Sequence, residues 1–287
     1  MKVTREGICR AVAGTAGLVG LASHFEKPPV EQISLSTAVI SDIHANAEAL
    51  RTVLADIEAR GITRIVCLGD IIGYGPDPLE CADIVAERCE WALMGNHDFG
   101  VLYEPTNFNA GAEQAAYWTR EQFEAEPDEE IRARRWNFLG SLHVRMLDRG
   151  KFLAVHGSPR RPINEYIFPD DVVTNPVKMQ QIFDRVEHYA LVGHTHVPGV
   201  FREQLPFLSP VEIGPKGFPL NEGEKAIINV GSVGQPRDMD PRASYAIIHD
   251  DHVEFVRLEY DVEVTAAKIR EIPALTDWLG ERLYEGR

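Results

Sequence analysis

The sequence predicts an α/β protein with a largely parallel core, and three observations carry that expectation. From about residue 35 to 98, short apolar runs alternate with segments of helical period. Strand–helix–strand units at this spacing cross over and so make parallel neighbours. Five apolar runs, ending at Asp42, Asp70, Asn96, His156 and His194, deliver Asp, Asn or His beside glycine or a second polar ligand type. In an open α/β sheet the carboxyl ends of the strands are where ligands bind.

The elements follow in order. A buried strand over residues 35–41 leads to Asp42, and a helix over 45–60 follows. Leu50, Val53, Leu54 and Ile57 fall at i, i+3, i+4 and i+7, with Gly61 suited to the position after the helix end. Strand two covers 64–68. Asp77 is placed as the N-cap of the next helix, Pro78 as its first residue and Glu80 as its third. Strand three covers 91–94. Residues 99–140 break the rhythm and predict a helical insertion, with helices over 110–124 and 129–139. Eight aromatics fall in that stretch, among them Phe99, Phe108, Phe123 and Trp136. They suit a small core, and one or two of them could face a site and stack a ring. Strands near 143–147 and 152–155, a helix near 175–186 and a strand over 189–192 come next. The tail carries strands over 226–230, 245–249 and 253–258, with a hairpin turn at Asp250-Asp251. One or two amphipathic helices span 262–283.

Composition excludes several classes. Hydrophobic residues make up 44% and charged residues 25%, as in an ordinary globular chain. The net charge of −15 disfavours binding to nucleic acid or to an anionic membrane surface. Cys9, Cys67, Cys81 and Cys89 show no zinc or redox spacing, which points to a reducing compartment. No apolar run approaches the roughly 18 residues of a membrane span. Residues 1–32 read as an extension, with Lys2, Arg5 and Arg10 before a Gly- and Ala-rich stretch. It has the outline of a weak signal or of an accessory segment. The main domain is placed at 33–287, in the cytoplasm, with export as the alternative.

The candidate chemistry lies in five blocks: Asp42-x-His44, Gly69-Asp70, Gly95-Asn96-His97-Asp98, His156-Gly157 and Gly193-His194-x-His196. Imidazole, carboxylate and carboxamide without thiolate suit manganese, iron or zinc, and argue against a structural cysteine-based zinc site. The ligands are too many for one ion with open positions. Two ions about 3.5–4 Å apart, sharing one carboxylate, fit better and would supply the positive charge an anionic substrate needs.

In this order the blocks resemble the signature of the calcineurin-like metallophosphoesterases, over about residues 35–240. The resemblance implies a four-layer fold of two packed mixed β-sheets flanked by helices. It assigns Asp42, His44 and His196 to one metal and Asn96, His156 and His194 to the other, with Asp70 bridging. It gives His97 the part of general acid or phosphate-orienting group, with Asp98 holding its ring. Hydroxide between the metals would attack phosphorus in line. The run from Asn229 to Arg237 resembles the Gly-Ser-x-Gly-x-Pro-Arg segment of the small prokaryotic phosphodiesterase branch, with Ser232 as support and Arg237 near the site mouth. Protein phosphatases of the superfamily carry Gly-Asp-x-x-Asp-Arg-Gly, whereas this chain has Gly73 and Tyr74 where they have Asp and Arg. Arg160 or Arg161 is the candidate replacement clamp, since guanidinium matches phosphate geometry. The expected substrate is therefore a small phosphodiester, nucleotide or dinucleoside polyphosphate. A protein phosphatase, a catalytically silent scaffold and a single-metal structural site are the rival readings.

Overall fold

Two six-stranded sheets pack face to face in this computed structural model, which describes residues 36–287. The expectations for residues 1–32 lie outside the described residues. The first sheet runs, edge to edge, β3 (Trp91–Ala92), β2 (Arg64–Cys67), β1 (Thr37–Ile40), β11 (Ala243–Ile248), β12 (His252–Leu258) and β9 (Phe218–Pro219). The second runs β4 (Arg145–Asp148), β5 (Phe152–Val155), β6 (Tyr189–Val192), β10 (Ala226–Asn229), β7 (Gly199–Arg202) and β8 (Leu205–Leu208).

Both sheets are mixed, so the largely parallel core holds only in part. β1, β2 and β3 are parallel, as are β5, β6 and β10. The remaining pairings are antiparallel. The parallel pairs β1–β2, β2–β3 and β5–β6 come from helix-connected stretches, and hairpins supply three of the antiparallel pairs, among them β11–β12, closed at the expected Asp250-Asp251 turn.

Strand alternation divides the core. Val39, Val66 and Leu68 meet Leu191, Ile228 and Phe152 between the sheets. On the other face of the first sheet, Ala38, Ile40, Ile65 and Cys67 pack under α1 (Ala47–Ala59) and α2 (Pro78–Arg88). Ala190, Val192 and Ile227 pack under Met179, Ile182 and Phe183 of α7 (Pro176–Phe183). The period-2 pattern of each strand thus feeds two apolar layers, giving helix, sheet, sheet and helix.

Local chemistry explains most boundaries. Asn46 caps α1 by accepting from the Ala49 N–H at 3.1 Å. The helix starts later than expected because Ala45 is held at φ 52°. Asp77 does occupy the cap position of α2, but its carboxylate makes no capping bond. It is bound instead by Lys268 Nζ at 2.9 Å. The insertion contains α3 (Asn96–Leu102), α4 (Ala110–Glu124) and α5 (Glu129–Ser141). Phe123 and Trp136 pack inside it, with ring centroids 5.1 Å apart. α3 escaped the sequence reading because it has seven residues, includes Gly100 and begins on a site motif. β9, of two residues, and the four-residue helices α6 (Asp171–Thr174) and α8 (Pro210–Ile213) are too short for a periodic signal, and the sequence reading also missed β7 and β8. The tail forms α9 (Val262–Glu271), α10 (Asp277–Glu281) and a 3-10 turn at Arg282–Tyr284. No described helix is long and apolar enough to cross a membrane.

Leu191 lies in the layer between the sheets and is 1% exposed. Leu191→Ala is expected to lower stability by about 2–5 kcal/mol, read from denaturant unfolding. A loss well under about 1 kcal/mol would show that the inter-sheet layer collapses around the gap.

Candidate metal centre

The two central parallel strands of the first sheet end side by side, and their following loops are zipped together. Asp42 N–H donates to the Gly69 carbonyl at 2.9 Å, His44 N–H to Asp70 at 3.0 Å and Ala45 N–H to Ile71 at 3.0 Å. These bonds hold a backbone that L-residues rarely adopt. Asp42, His44 and Asp70 have φ of 53°, 49° and 51°, and His194 and His196 have 66° and 59°. Left-handed conformations at non-glycine residues persist only where the surroundings over-determine them, and they gather at functional sites. Gly95, in the loop after β3, is required by close approach, since a Cβ there would lie 2.0 Å from Asp70 Oδ1.

The second sheet brings three histidines to the same edge. His156 follows β5, and His194 and His196 follow β6. Asp42, His44, Asp70 and His196 offer ligand atoms all within 4.8 Å of one another, and so do Asp70, His156 and His194. Asp70 belongs to both groups. Its Oδ2 lies 3.6 Å from His44 Nε2 and 3.3 Å from His156 Nε2. Asn96 Oδ1 lies 3.3 Å from His156 Nε2. The seven side chains singled out in the sequence are therefore brought together, six of them in two groups that share Asp70, and Asn96 against His156.

The fit to cations rests on the nitrogens. His156 Nδ1 sits 3.0 Å from the Leu68 carbonyl and His196 Nδ1 against the Gln235 carbonyl, so each ring turns Nε2 into the site. His44 Nε2 and His196 Nε2 face each other at 3.1 Å. His194 Nε2 is buried with no hydrogen-bond partner. Converging lone pairs that lack donors are what divalent cations satisfy. Further bonds fix the carboxylates. Ser41 Oγ donates to Asp42 Oδ2 at 2.6 Å, and His194 N–H to the same oxygen at 3.0 Å. His97 N–H donates to Asp70 Oδ1 at 2.8 Å.

Burial sets the protonation states. It tends to raise the Asp42 carboxyl, but the His196 ring beside it holds the group below the ordinary carboxylate range. Burial lowers His44, against the opposing charge of Asp70. Burial and the neighbouring His156 bring His194 down to about 3. His156 runs the other way: burial disfavours its charge, but Asp70 outweighs burial and lifts it to about 9. Burial lowers His97 to about 4. A neutral His97 at pH 7 suits orienting phosphate by an N–H better than protonating a leaving group.

Two expectations change. Asp98 does not hold the His97 ring, whose Nδ1 has no partner. Its carboxylate accepts the N–H groups of Gly95, Ile71 and Ile72 at 3.0, 3.0 and 3.3 Å, tying α3 to the loop after β2. Its position at the start of α3 points it at the main chain. Arg160 is not a phosphate clamp, because its guanidinium forks onto Glu165 and reaches Gln181. Arg161, by contrast, lines a 560 Å³ cavity beside the centre together with Asn96, His97, Phe108, Tyr166 and His194. Ser232 supports the Asp42 loop as expected, donating to the Asp42 carbonyl at 2.7 Å. Arg237 lies over the Tyr74 ring at 5.9 Å, and Tyr74 packs on His97 at 4.2 Å. Phe108 covers another side of His97 at 4.6 Å, so one insertion aromatic does reach the site. The sequence reading missed Tyr166, which stacks on His194 with centroids 3.9 Å apart. It sits in no motif, and no spacing signal could have singled it out.

Comparison with known proteins agrees with this geometry. The family model described as the calcineurin-like phosphoesterase superfamily domain matches residues 35–252. An uncharacterised protein of Methanocaldococcus jannaschii is 40% identical over 261 residues, covering 87% of this chain and 98% of that one. The crystal structure of a metallophosphoesterase from Sphaerobacter thermophilus superposes with a TM-score of 0.73 at 38% identity, covering 88% of this chain and 100% of that one. A hypothetical protein from Pyrococcus horikoshii shares the fold, with a TM-score of 0.67 at 19% identity, covering 88% and 98%.

Asp70→Asn removes the charge common to both ligand groups. It is expected to strip most bound metal, measured by elemental analysis of the purified protein, and full retention would refute the shared role. Metal uptake by chelator-treated protein must displace the His156 proton, which is held up to about pH 9. Affinity is therefore expected to rise with pH from 7 towards 9 by up to about tenfold per unit for that proton, and then to level. Competition against a chelator of known pH dependence reads this, and a flat profile would contradict it.

Proposed function

The chain belongs to the calcineurin-like phosphoesterase superfamily, and from that premise we propose that it hydrolyses small phosphoesters with two bound divalent ions. The substrate class is a phosphodiester, a nucleotide or a dinucleoside polyphosphate. The observation that carries this reading is the convergence of seven side chains on two overlapping ligand groups that share Asp70. Manganese is the proposed metal, with iron or zinc the alternatives for an N/O ligand set. Such ions, when bound, polarise a phosphoryl oxygen and make hydroxide available at neutral pH.

The chain's own residues divide the remaining work. Asp42, His44 and His196 would hold one ion, and Asn96, His156 and His194 the other. His97 stands beside the centre, packed by Tyr74 and Phe108 and held neutral by burial. It donates an N–H to a phosphoryl oxygen, where the developing charge is greatest. Arg237 stands next to the centre, its main-chain N–H donating to the His196 carbonyl at 3.2 Å and its guanidinium lying over the Tyr74 ring. The cavity bounded by Phe99, Phe108 and Tyr166 receives the organic part of the ester. Its Asn107, Asn109 and Asn164 can bond polar ring edges or hydroxyls.

Two features favour small substrates over phosphoproteins. Tyr74 stands where a phosphatase clamp arginine would, and the cavity is bounded by the insertion on one side and the loop from Arg161 to Tyr166 on the other. With manganese, turnover of bis-p-nitrophenyl phosphate and of nucleotide esters is expected to exceed turnover of phosphopeptides. The reverse order would overturn the substrate class, and no hydrolysis of any ester would overturn the enzyme reading. His97→Ala is expected to keep its metal while kcat falls about a hundredfold or more. Loss of metal in that variant would place His97 among the ligands instead.

A further inference from the structure

Three site histidines follow strands of the second sheet, and main-chain carbonyls fix the rings of only two. His156 Nδ1 meets the Leu68 carbonyl, and His196 Nδ1 meets the Gln235 carbonyl. The His194 ring makes no hydrogen bond among the described residues, and its Nε2 is buried without a partner. Its backbone is held, because the His194 N–H donates to Asp42 Oδ2 at 3.0 Å. The torsion that turns an imidazole about its Cβ–Cγ bond is broad, so a held backbone leaves the direction of the ring nitrogens open.

Tyr166 supplies the missing constraint. Its ring centre lies 3.9 Å from that of His194, with 24° between the planes, whereas His156 meets His194 at 4.9 Å and 59°. An imidazole that turned about its own axis would collide with a ring lying so close and so nearly parallel. Phe168 continues the stack, 5.3 Å from Tyr166 with 5° between the planes. Tyr166 is 39% exposed, so burial in the core does not set its place.

The loop after β5 sets it. Gly157 N–H donates to the Pro162 carbonyl at 2.6 Å, and a Cβ on Gly157 would lie 2.9 Å from the Glu165 nitrogen. The loop therefore folds back directly beside His156. On one side of Tyr166, Glu165 is bound by Arg160 and by the buried Ser158 hydroxyl. On the other side, Ile167 is buried in the apolar cluster of Val155, Met179 and Phe183. Two anchored neighbours thus hold a half-exposed ring in a fixed place against His194.

We propose that Tyr166 is a positioning residue for metal binding. Its ring fixes the His194 imidazole as a ligand and so sets the affinity for the ion assigned to Asn96, His156 and His194. This rests on the two-ion reading of the centre, and it is independent of which ester is hydrolysed. The role differs from stacking a substrate ring, because the face of Tyr166 turned to His194 is closed to any ligand.

Calorimetric titration of the chelator-treated full chain with manganese tests this without any ester. The wild type is expected to take up two ions. Tyr166→Leu keeps bulk but loses the flat ring, and it is expected to weaken one ion about tenfold or more while leaving the other unchanged. His194→Gln is expected to weaken the same binding step, and Tyr166→Phe, which keeps the stack, is expected to titrate like the wild type. The melting temperature of the metal-free protein is expected to be the same for Tyr166→Leu and the wild type. Wild-type binding of both ions by Tyr166→Leu overturns the proposal. So does equal weakening of both ions with a lowered melting temperature, which is the mark of a merely structural role. A loss in Tyr166→Phe as large as in Tyr166→Leu would assign the effect to the hydroxyl and overturn the stack. A wild type that binds one ion overturns the two-ion reading and this role together, so the two failures are distinguishable.

Discussion

Everything at this centre depends on one piece of backbone, the ladder between the loops that follow β1 and β2. Three main-chain bonds, from Asp42, His44 and Ala45 to Gly69, Asp70 and Ile71, hold both loops in the left-handed region. Each such residue is unfavourable by roughly a kilocalorie or more in isolation. Here that strain is what brings Asp42, His44 and Asp70 to one edge. A relaxed strand would alternate its side chains between two faces. The strain is offset by the apolar layers on either side of β1 and β2, whose central residues are buried.

The same edge concentrates negative charge that protein contacts alone balance poorly. Asp42, Asp70 and Asp98 are all buried, and the nearby imidazoles of His44, His97, His194 and His196 are all shifted towards the neutral form. Only His156 is held in its charged form, as the partner of Asp70. Asp98 shows the alternative resolution, with three main-chain N–H groups around its carboxylate while burial and Asp70 raise it to about 7. Buried carboxylates surrounded by neutral nitrogen donors are a stable arrangement once cations share them. Cations held there would also offset the chain's net charge of −15 towards an anionic ligand.

The cluster of candidate ligands was legible in the sequence because each of its residues sits just past the end of an apolar strand. β1, β2, β5 and β6 each announce themselves by a buried run, and the residue after the run is chemistry. The rest was not legible, for physical reasons. Asp98 was read as a partner for its neighbour His97, but at the start of α3 the nearest unpaired donors are main-chain amides. Arg160 and Arg161 are adjacent in sequence, and only the structure shows one bound to Glu165 and the other facing the cavity. Tyr166 reaches the site only through its position in space. Short elements such as β9 and α8 carry too few residues for either period to register.

The departure from the protein-phosphatase motif now has a structural meaning beyond the missing arginine. Gly73 has φ 86°, and a Cβ there would lie 2.6 Å from His97 Nδ1. The glycine therefore makes room for the imidazole, which Tyr74 and Phe108 enclose. A side chain at position 73 would have to displace the His97 ring from this place. Tyr74, also left-handed at φ 65°, lies beside both His97 and Arg237. The arginine that phosphatases carry on this loop is thus replaced by a tyrosine with an arginine over its face, delivered from a different loop.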